Sequence, residues 1–169
     1  MIHSVLGPEQ IDIPVVIGGG IGHGRQLAAV LGMGADGVLI GTRVLVAEEV
    51  WSHAEVKKQI VNSGAADSTL VMSSFRNTSR VINNEFARAV QSLELDGIKD
   101  FDQYWPYVKG ANAFDAYKSG DWHKALLSMG QSAVFADSVQ PMEQIYDNLI
   151  DEAAAALERL RGLRTSKTG

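Results

Sequence analysis

The chain contains no cysteine, which excludes disulfides, thiolate metal sites and a cysteine nucleophile and suits a reducing cytoplasm. It has no surplus of basic charge either: 15 Lys and Arg stand against 20 Asp and Glu, for a net charge of −5. Acids and bases are interspersed, with no basic stripe to neutralise a phosphate backbone, so nucleic acid is not an expected partner. No apolar run approaches the ~18 residues that a membrane-crossing helix needs, and no signal peptide is read at the start. A membrane is therefore not an expected partner.

What remains is an ordinary globular composition, 46% hydrophobic and 21% charged over 169 residues. That length suits one domain with a real core. It falls short of the roughly 250 residues of a complete (β/α)8 barrel.

Ile13–Ile17 (IPVVI) is a continuous β-branched apolar run ending in Gly18-Gly19-Gly20. Such runs read as strands buried on both faces, typical of parallel sheets. Arg25–Met33 carries Leu27, Val30 and Leu31 on one side of an expected helix, with Gly34 as its stop. Gly37–Ile40 (GVLI) is a second buried run, followed at once by Gly41-Thr42-Arg43. Strand, glycine turn, helix and strand make a βαβ crossover with a parallel pair.

Ser52-His53-Ala54-Glu55 fits a capping box opening a helix with Val56, Ile60 and Val61 on its apolar stripe, and Gly64 as its stop. Beyond it the alternation of strands and helices is expected to cease. Val81–Leu95 shows helical spacing of Ile82, Phe86, Ala89, Val90 and Leu93. Asp100–Ala116 reads as two short helices broken near Pro106, and Ala125–Ala136 as another helix. Pro141 suits the first position of a long final helix with Met142, Ile145, Leu149, Ala153, Ala156 and Leu160 on one face.

The expected organisation is α/β, with the last two β/α units of a partial (β/α)8 (TIM) barrel over residues 1–64. A mainly α-helical region follows over residues 65–164, then a disordered tail over 165–169. Two parallel strands cannot form a stable sheet alone, because their faces and edges stay uncovered. The rest of a barrel, lying before this segment, is the simplest cover, and self-association is the other.

The strongest chemical signal is Gly18-Gly19-Gly20-Ile21-Gly22-His23-Gly24, between a strand and a helix. Successive glycines let backbone N–H groups approach an anion, and a helix start adds a favourable dipole. Gly41-Thr42, at the tip of the next strand, brings a hydroxyl and two amides toward the same place. The loops after strands seven and eight of (β/α)8 barrels often build such a phosphate site; tight turns alone are the competing reading. A Rossmann unit fits poorly, since G-x-G-x-x-G is not supplied cleanly and no acid ends the second strand.

These residues resemble a known family. IPVVIGGGIGHGRQLAAVLGMGADGVLIGTRVLVAEE looks like the strand–GGI–helix–strand–GTR block of nitronate monooxygenases, formerly 2-nitropropane dioxygenases, and is similar also to flavin-dependent enoyl-acyl carrier protein reductases. The likeness extends through His53–Val61, the Ser74–Val81 segment, Ser119-Gly120-Asp121 and Met129-Gly130-Gln131. It implies an FMN flavoprotein acting on a small molecule such as an alkyl nitronate, with O2 as oxidant. The alternatives are an NAD(P)H-dependent enoyl-thioester reductase and a non-catalytic fragment that pairs with another chain.

The resemblance assigns the flavin phosphate to Gly18, Gly19, Gly20, Gly41 and Thr42, and a flavin-ring contact to Gln131, expected as a buried amide in a helix. The family's catalytic histidine is expected to precede this chain, which leaves it weak or inactive alone. His23 reads as a solvated loop residue, His53 as first-turn helix, His123 as surface beside Trp122, and His3 as frayed start. Arg43 is expected either to steady the phosphate corner or to pair with a neighbouring helix. Arg76, Asn77, Thr78 and Arg80 read as a polar turn starting a helix. Tyr104, Trp105, Tyr107 and Phe114 line either a cleft or the core. No spacing suggests a metal cluster.

Overall fold

The computed structural model describes residues 13–165. His3 and positions 166–169 of the expected tail lie outside them. β1 (Val16–Gly18), α1 (Gly24–Gly32) and β2 (Gly37–Leu39) form the expected crossover. The strands run parallel, with Val16 opposite Gly37 and Gly18 opposite Leu39. Asp36 closes the start of the pair: its carboxylate accepts from Val15 N at 2.8 Å, and its own N–H donates to Val15 O at 2.9 Å. Gly34, at φ +95°, ends the helix as expected.

The strands are not buried on both faces. Val16 is 58% exposed and Leu39 68%. Nothing else in the described chain covers that face, so the apolar runs that made these strands legible stand open to solvent.

A short 3-10 helix, Thr42–Val46, follows β2, and α2 spans Ala54–Val61. Its cap is His53, whose Nδ1 accepts from Glu55 N at 3.2 Å, not the expected Ser52 box. Lys57 of α2 is buried, and its ammonium donates to Ala47 O at 2.6 Å and Glu48 O at 3.1 Å. These carbonyls end the 3-10 helix, where a cation is favoured. Lys57→Met would leave the Glu48 carbonyl without its donor and the Ala47 carbonyl with only the Val50 N–H. It is expected to cost about 1–3 kcal/mol, read as a lower urea midpoint at unchanged slope.

Residues 65–164 are not purely helical. β3 (Ser68–Val71) and β4 (Ser79–Ile82) pair antiparallel, Ser68 opposite Ile82 and Val71 opposite Ser79. The Arg76–Arg80 stretch therefore enters a strand and does not start a helix. The expected Ala125–Ala136 helix is replaced by an extended segment on the β4 edge: Ile82 N donates to Leu127 O, and Met129 N to Arg80 O. A 3-10 helix, Gln131–Phe135, follows. Leu127 and Met129 are buried while Ser128 is exposed, the two-residue period of a strand.

α3 (Glu85–Leu95) starts later than expected, capped by buried Asn84. The Asn84 Oδ1 accepts from Ala87 N at 3.0 Å, and its Nδ2 donates to Trp122 O and Ala125 O, each at 2.7 Å. α4 (Phe101–Val108) retains Pro106 inside it, and the break before α5 (Gly110–Ser119) falls at Lys109. Tyr104 is core, its hydroxyl donating to Ile98 O at 2.8 Å, and burial with the Glu94 carboxylate nearby pushes its phenol above the usual value. Trp105 and Phe114 are exposed.

α6 (Met142–Thr165) packs on α1, while its Ile145 and Leu149 are buried with Ala47, Ile40 and Val44 and its Leu160 is half exposed. Pro141 stands just before it. The core is split: Val46, Val56, Ile60, Ile82, Leu127 and Met129 pack together, and Val71, Val81, Val90 and Tyr104 form a second cluster. β4 joins the two, since Val81 and Ile82 point opposite ways. No helix among the described residues is long and apolar enough to cross a membrane.

Candidate anion site at two strand tips

The loop after β1 turns on Gly19 at φ +100° and Gly20 at φ +73°, conformations that favour glycine. Gln26 of α1 braces it. Its Oε1 accepts from Gly22 N at 2.9 Å and His23 N at 3.1 Å, and its Nε2 donates to Gly20 O at 2.9 Å. The loop thereby runs beside the Gly41-Thr42 corner that follows β2. Gly19, Gly20, Gly41 and Thr42 line one cavity of about 360 Å³, together with Arg80, Ser128, Gly130 and Ser132.

Among the described residues, the N–H groups of Gly20, Ile21, Gly41 and Thr42 have no acceptor. Thr42 is buried, and its Oγ1 accepts from Gly130 N at 2.8 Å, which leaves the hydroxyl proton free to donate. Residues with such donors, from two separate strand tips, thus line one hollow together with one arginine, and no carboxylate lines it. An anion fits that set.

The glycines divide into two kinds. A Cβ on Gly22 would press on Phe135 and Ser132, and one on Gly24 would strike the backbone of Leu149 and Ala153. Packing accounts for both. A Cβ on Gly41 would meet nothing within 4 Å, and its φ of −106° is open to any residue. The space beside Gly41 is open, so packing does not account for this glycine.

The helix start does not serve this cavity. Gly24 N donates to Glu152 Oε2 at 2.6 Å, and Arg25 N to His23 Nδ1 at 3.1 Å, so α1 is capped from within the protein. His23 is no solvated loop residue. It is half-buried, caps α1, lies 3.1 Å from Glu152 and stands edge-on to Phe135. Arg43 is buried, with Nη1 on Gly22 O at 2.6 Å and its fork on both Glu152 oxygens at 3.1 and 3.2 Å. It both steadies the loop and pairs with a helix. A larger hollow of about 640 Å³ shares His23 and Glu152 with this network but none of the glycine corner. The capped helix amides leave it no backbone donors at α1.

Burial raises the Glu152 pKa, but the Arg43 hydrogen bonds and charge, the Gly24 N–H and His23 outweigh it and hold the carboxyl below the usual 4.5. A lowered carboxylate pKa stabilises the fold above the unfolded-state value and is lost as pH falls through the folded one. Thermal melts from pH 7 to 3 should therefore show a loss of stability beginning below about 4.5, and Glu152→Gln should flatten that part of the profile. Equal slopes in both proteins would refute the assignment.

Of the six residues expected at the site, the cavity wall holds Gly19, Gly20, Gly41 and Thr42. Gly18 lies in β1 against Leu39. Gln131 is exposed and outside the wall, because its segment is a 3-10 turn and not a buried helix; its neighbours Gly130 and Ser132 are in the wall. Arg80 and Ser128 enter through the hairpin and its edge segment, which the helical expectation hid. His53 caps α2 and His123 stacks on Trp122 at 3.7 Å. Among the described residues no group of three or more acids and histidines is placed to hold a metal.

A family profile described as nitronate monooxygenase matches residues 3–152. A probable nitronate monooxygenase of Staphylococcus haemolyticus is 31% identical, covering 90% of this chain and 42% of that protein. A hydroxy-methyl-oxo-octahydroindene carboxyl-CoA dehydrogenase of Rhodococcus jostii is 27% identical, covering 97% of this chain and 56% of that protein. In three dimensions the chain is similar to FabK from Thermotoga maritima, with a TM-score of 0.82 and 29% identity over 92% of this chain and 49% of that one. A nitroalkane oxidase from Streptomyces ansochromogenes gives 0.68 and 28% over 90% and 42%. The chain spans about half the length of the curated relatives it matches.

Proposed function

Since the chain belongs to the nitronate monooxygenase family, we propose that it is the phosphate-gripping part of an FMN-dependent oxidoreductase, built as the last two β/α units of a (β/α)8 barrel with a largely helical extension. One observation carries this reading: unpaired amides from two neighbouring strand tips line a single hollow with Arg80. When bound, the flavin supplies the redox chemistry. The chain's own residues hold its anionic tail. Gly20, Ile21, Gly41 and Thr42 offer N–H groups, Thr42 a hydroxyl, and Arg80 a positive charge, with Leu45 and Met129 as apolar wall.

The most favoured activity is oxidation of an alkyl nitronate with O2, as the names of several relatives suggest. No histidine among the described residues faces the hollow: His23 and His53 cap helices, and His123 stacks on an indole. Proton abstraction from substrate therefore falls to a group outside the described residues, and Val16 and Leu39 mark the open face that a further part of the barrel, or a second copy, would cover.

A second reading, reduction of an enoyl thioester by NAD(P)H, has two supports. The likeness to FabK is higher than to nitroalkane oxidase, and one relative is named for a CoA thioester. The test is to co-produce the chain with a family N-terminal half, confirm bound FMN by visible absorption, and assay both reactions. Nitronate-dependent O2 uptake without nicotinamide is expected. NAD(P)H oxidation with an enoyl thioester would select the second reading, and a complex without flavin would overturn both.

A further inference from the structure

We infer that Arg43 is a positioning residue that holds the two amide corners of the site in register, with Glu152 keeping it in place. The inference rests on the phosphate-grip reading and deepens it. Arg43 follows Thr42 directly, yet its side chain does not line the cavity. It reaches the other corner instead, where Nη1 donates to Gly22 O at 2.6 Å. The same guanidinium grips Glu152 with both arms, and Glu152 Oε2 also accepts from Gly24 N at 2.6 Å. One fork and one carboxylate thus tie together the loop after β1, the tip of β2 and α6.

The corners need such a tie. They are carried by a two-stranded parallel sheet only three residue pairs long, to which no further strand is joined among the described residues. Donors converging on one anion must be held to about 0.5 Å by the groups behind them. Arginine suits the task because its planar fork can meet a carbonyl and both carboxylate oxygens at once; a lysine ammonium cannot. The pairing with Glu152 also neutralises the guanidinium, so Arg43 contributes geometry and not attraction. Glu152, seated at the start of α1, occupies the place where a helix would otherwise draw an anion. The ligand's charge is thereby confined to the loop amides.

The test is titration of the full chain with FMN, and with riboflavin as the control lacking phosphate, following the backbone amide signals of Gly19, Gly20, Gly41 and Thr42 well below the melting temperature. In the wild type all four signals are expected to move with FMN and not with riboflavin. Arg43→Met is expected to weaken FMN at least tenfold in protein that is still folded, and Arg43→Lys to do the same. Glu152→Gln, which retains an acceptor for Gly24 N, should lose less. Should either Arg43 variant lower the melting temperature yet bind FMN within twofold of wild type, the pair is only a staple for α6 and the inference is overturned. Arg43→Lys carries the test if Arg43→Met does not fold. A wild type whose four signals ignore FMN would instead remove the phosphate-grip reading on which the inference stands.

Discussion

Gly24→Ala should be severely damaging for a change of one methyl group. The added Cβ would collide with the Leu149 carbonyl oxygen, the Ala153 amide nitrogen and the Glu152 Cβ. Two of these belong to the backbone of α6 and cannot swing aside. Close-packed interiors answer an extra methyl by shifting whole elements, at about 1–3 kcal/mol and occasionally more. Here the shift must separate α1 from α6, the pair in closest contact in the fold. It would also break the Gly24 N–H bond to Glu152 and loosen Arg43. A loss of about 3 kcal/mol or more is expected, which lowers the thermal midpoint of a chain this size by roughly 6–12 °C. A drop smaller than 2 °C would show that the two helices are not seated on each other as described.

That glycine lies inside the most legible stretch of the sequence, and the stretch was legible for a reason unrelated to Gly24. Residues 13–46 announce themselves because β-branched runs, glycine turns and a short amphipathic helix are all local signals. The structure keeps their order, their type and their parallel pairing. Local signals say nothing of partners far along the chain. Glu152 is 128 residues from Gly24 and 109 from Arg43, so neither its hydrogen bond to the start of α1 nor its pairing with Arg43 can be read from either segment alone. His23 looked like an exposed loop tip for the same reason.

The hairpin was hidden by its turn. Between β3 and β4 there is no glycine and no proline, and the chain reverses through Met72 at φ 65° and Arg76 at φ 54°. Left-handed backbone at such residues is uncommon, and surrounding structure must support it. The support is Glu94, whose carboxylate accepts from Met72 N at 3.2 Å, Ser73 Oγ at 2.9 Å and Ser74 N at 2.8 Å. That acid sits on α3, beyond the second strand, so the polar turn read at Arg76–Arg80 gave no sign that the chain reverses into a second strand. Ile82 then falls at helical spacing from Phe86 and Ala89 and extends the apparent helix backward. Asn84 before Glu85 was the available correction, a strong cap three residues past the expected start. Arg80 entered the cavity unannounced because its strand did.

Gly41→Ala should show the opposite behaviour to Gly24→Ala. A methyl at Gly41 meets no protein atom within 4 Å and lies at an unstrained φ. Stability should hold to within about 0.5 kcal/mol, the range of substitutions that touch nothing. The same methyl is added to a residue that lines the hollow beside Thr42, where a bound phosphate must come within hydrogen-bond distance of the backbone. A tenfold or greater loss of FMN affinity is expected, about 1.4 kcal/mol, and Gly41→Leu should abolish binding at the same melting temperature. Gly24→Ala thus reports on packing and Gly41→Ala on a ligand, although both glycines belong to turns after consecutive strands. If Gly41→Ala binds FMN as the wild type does, the hollow between the strand tips is not where the phosphate sits, however well its amides are placed.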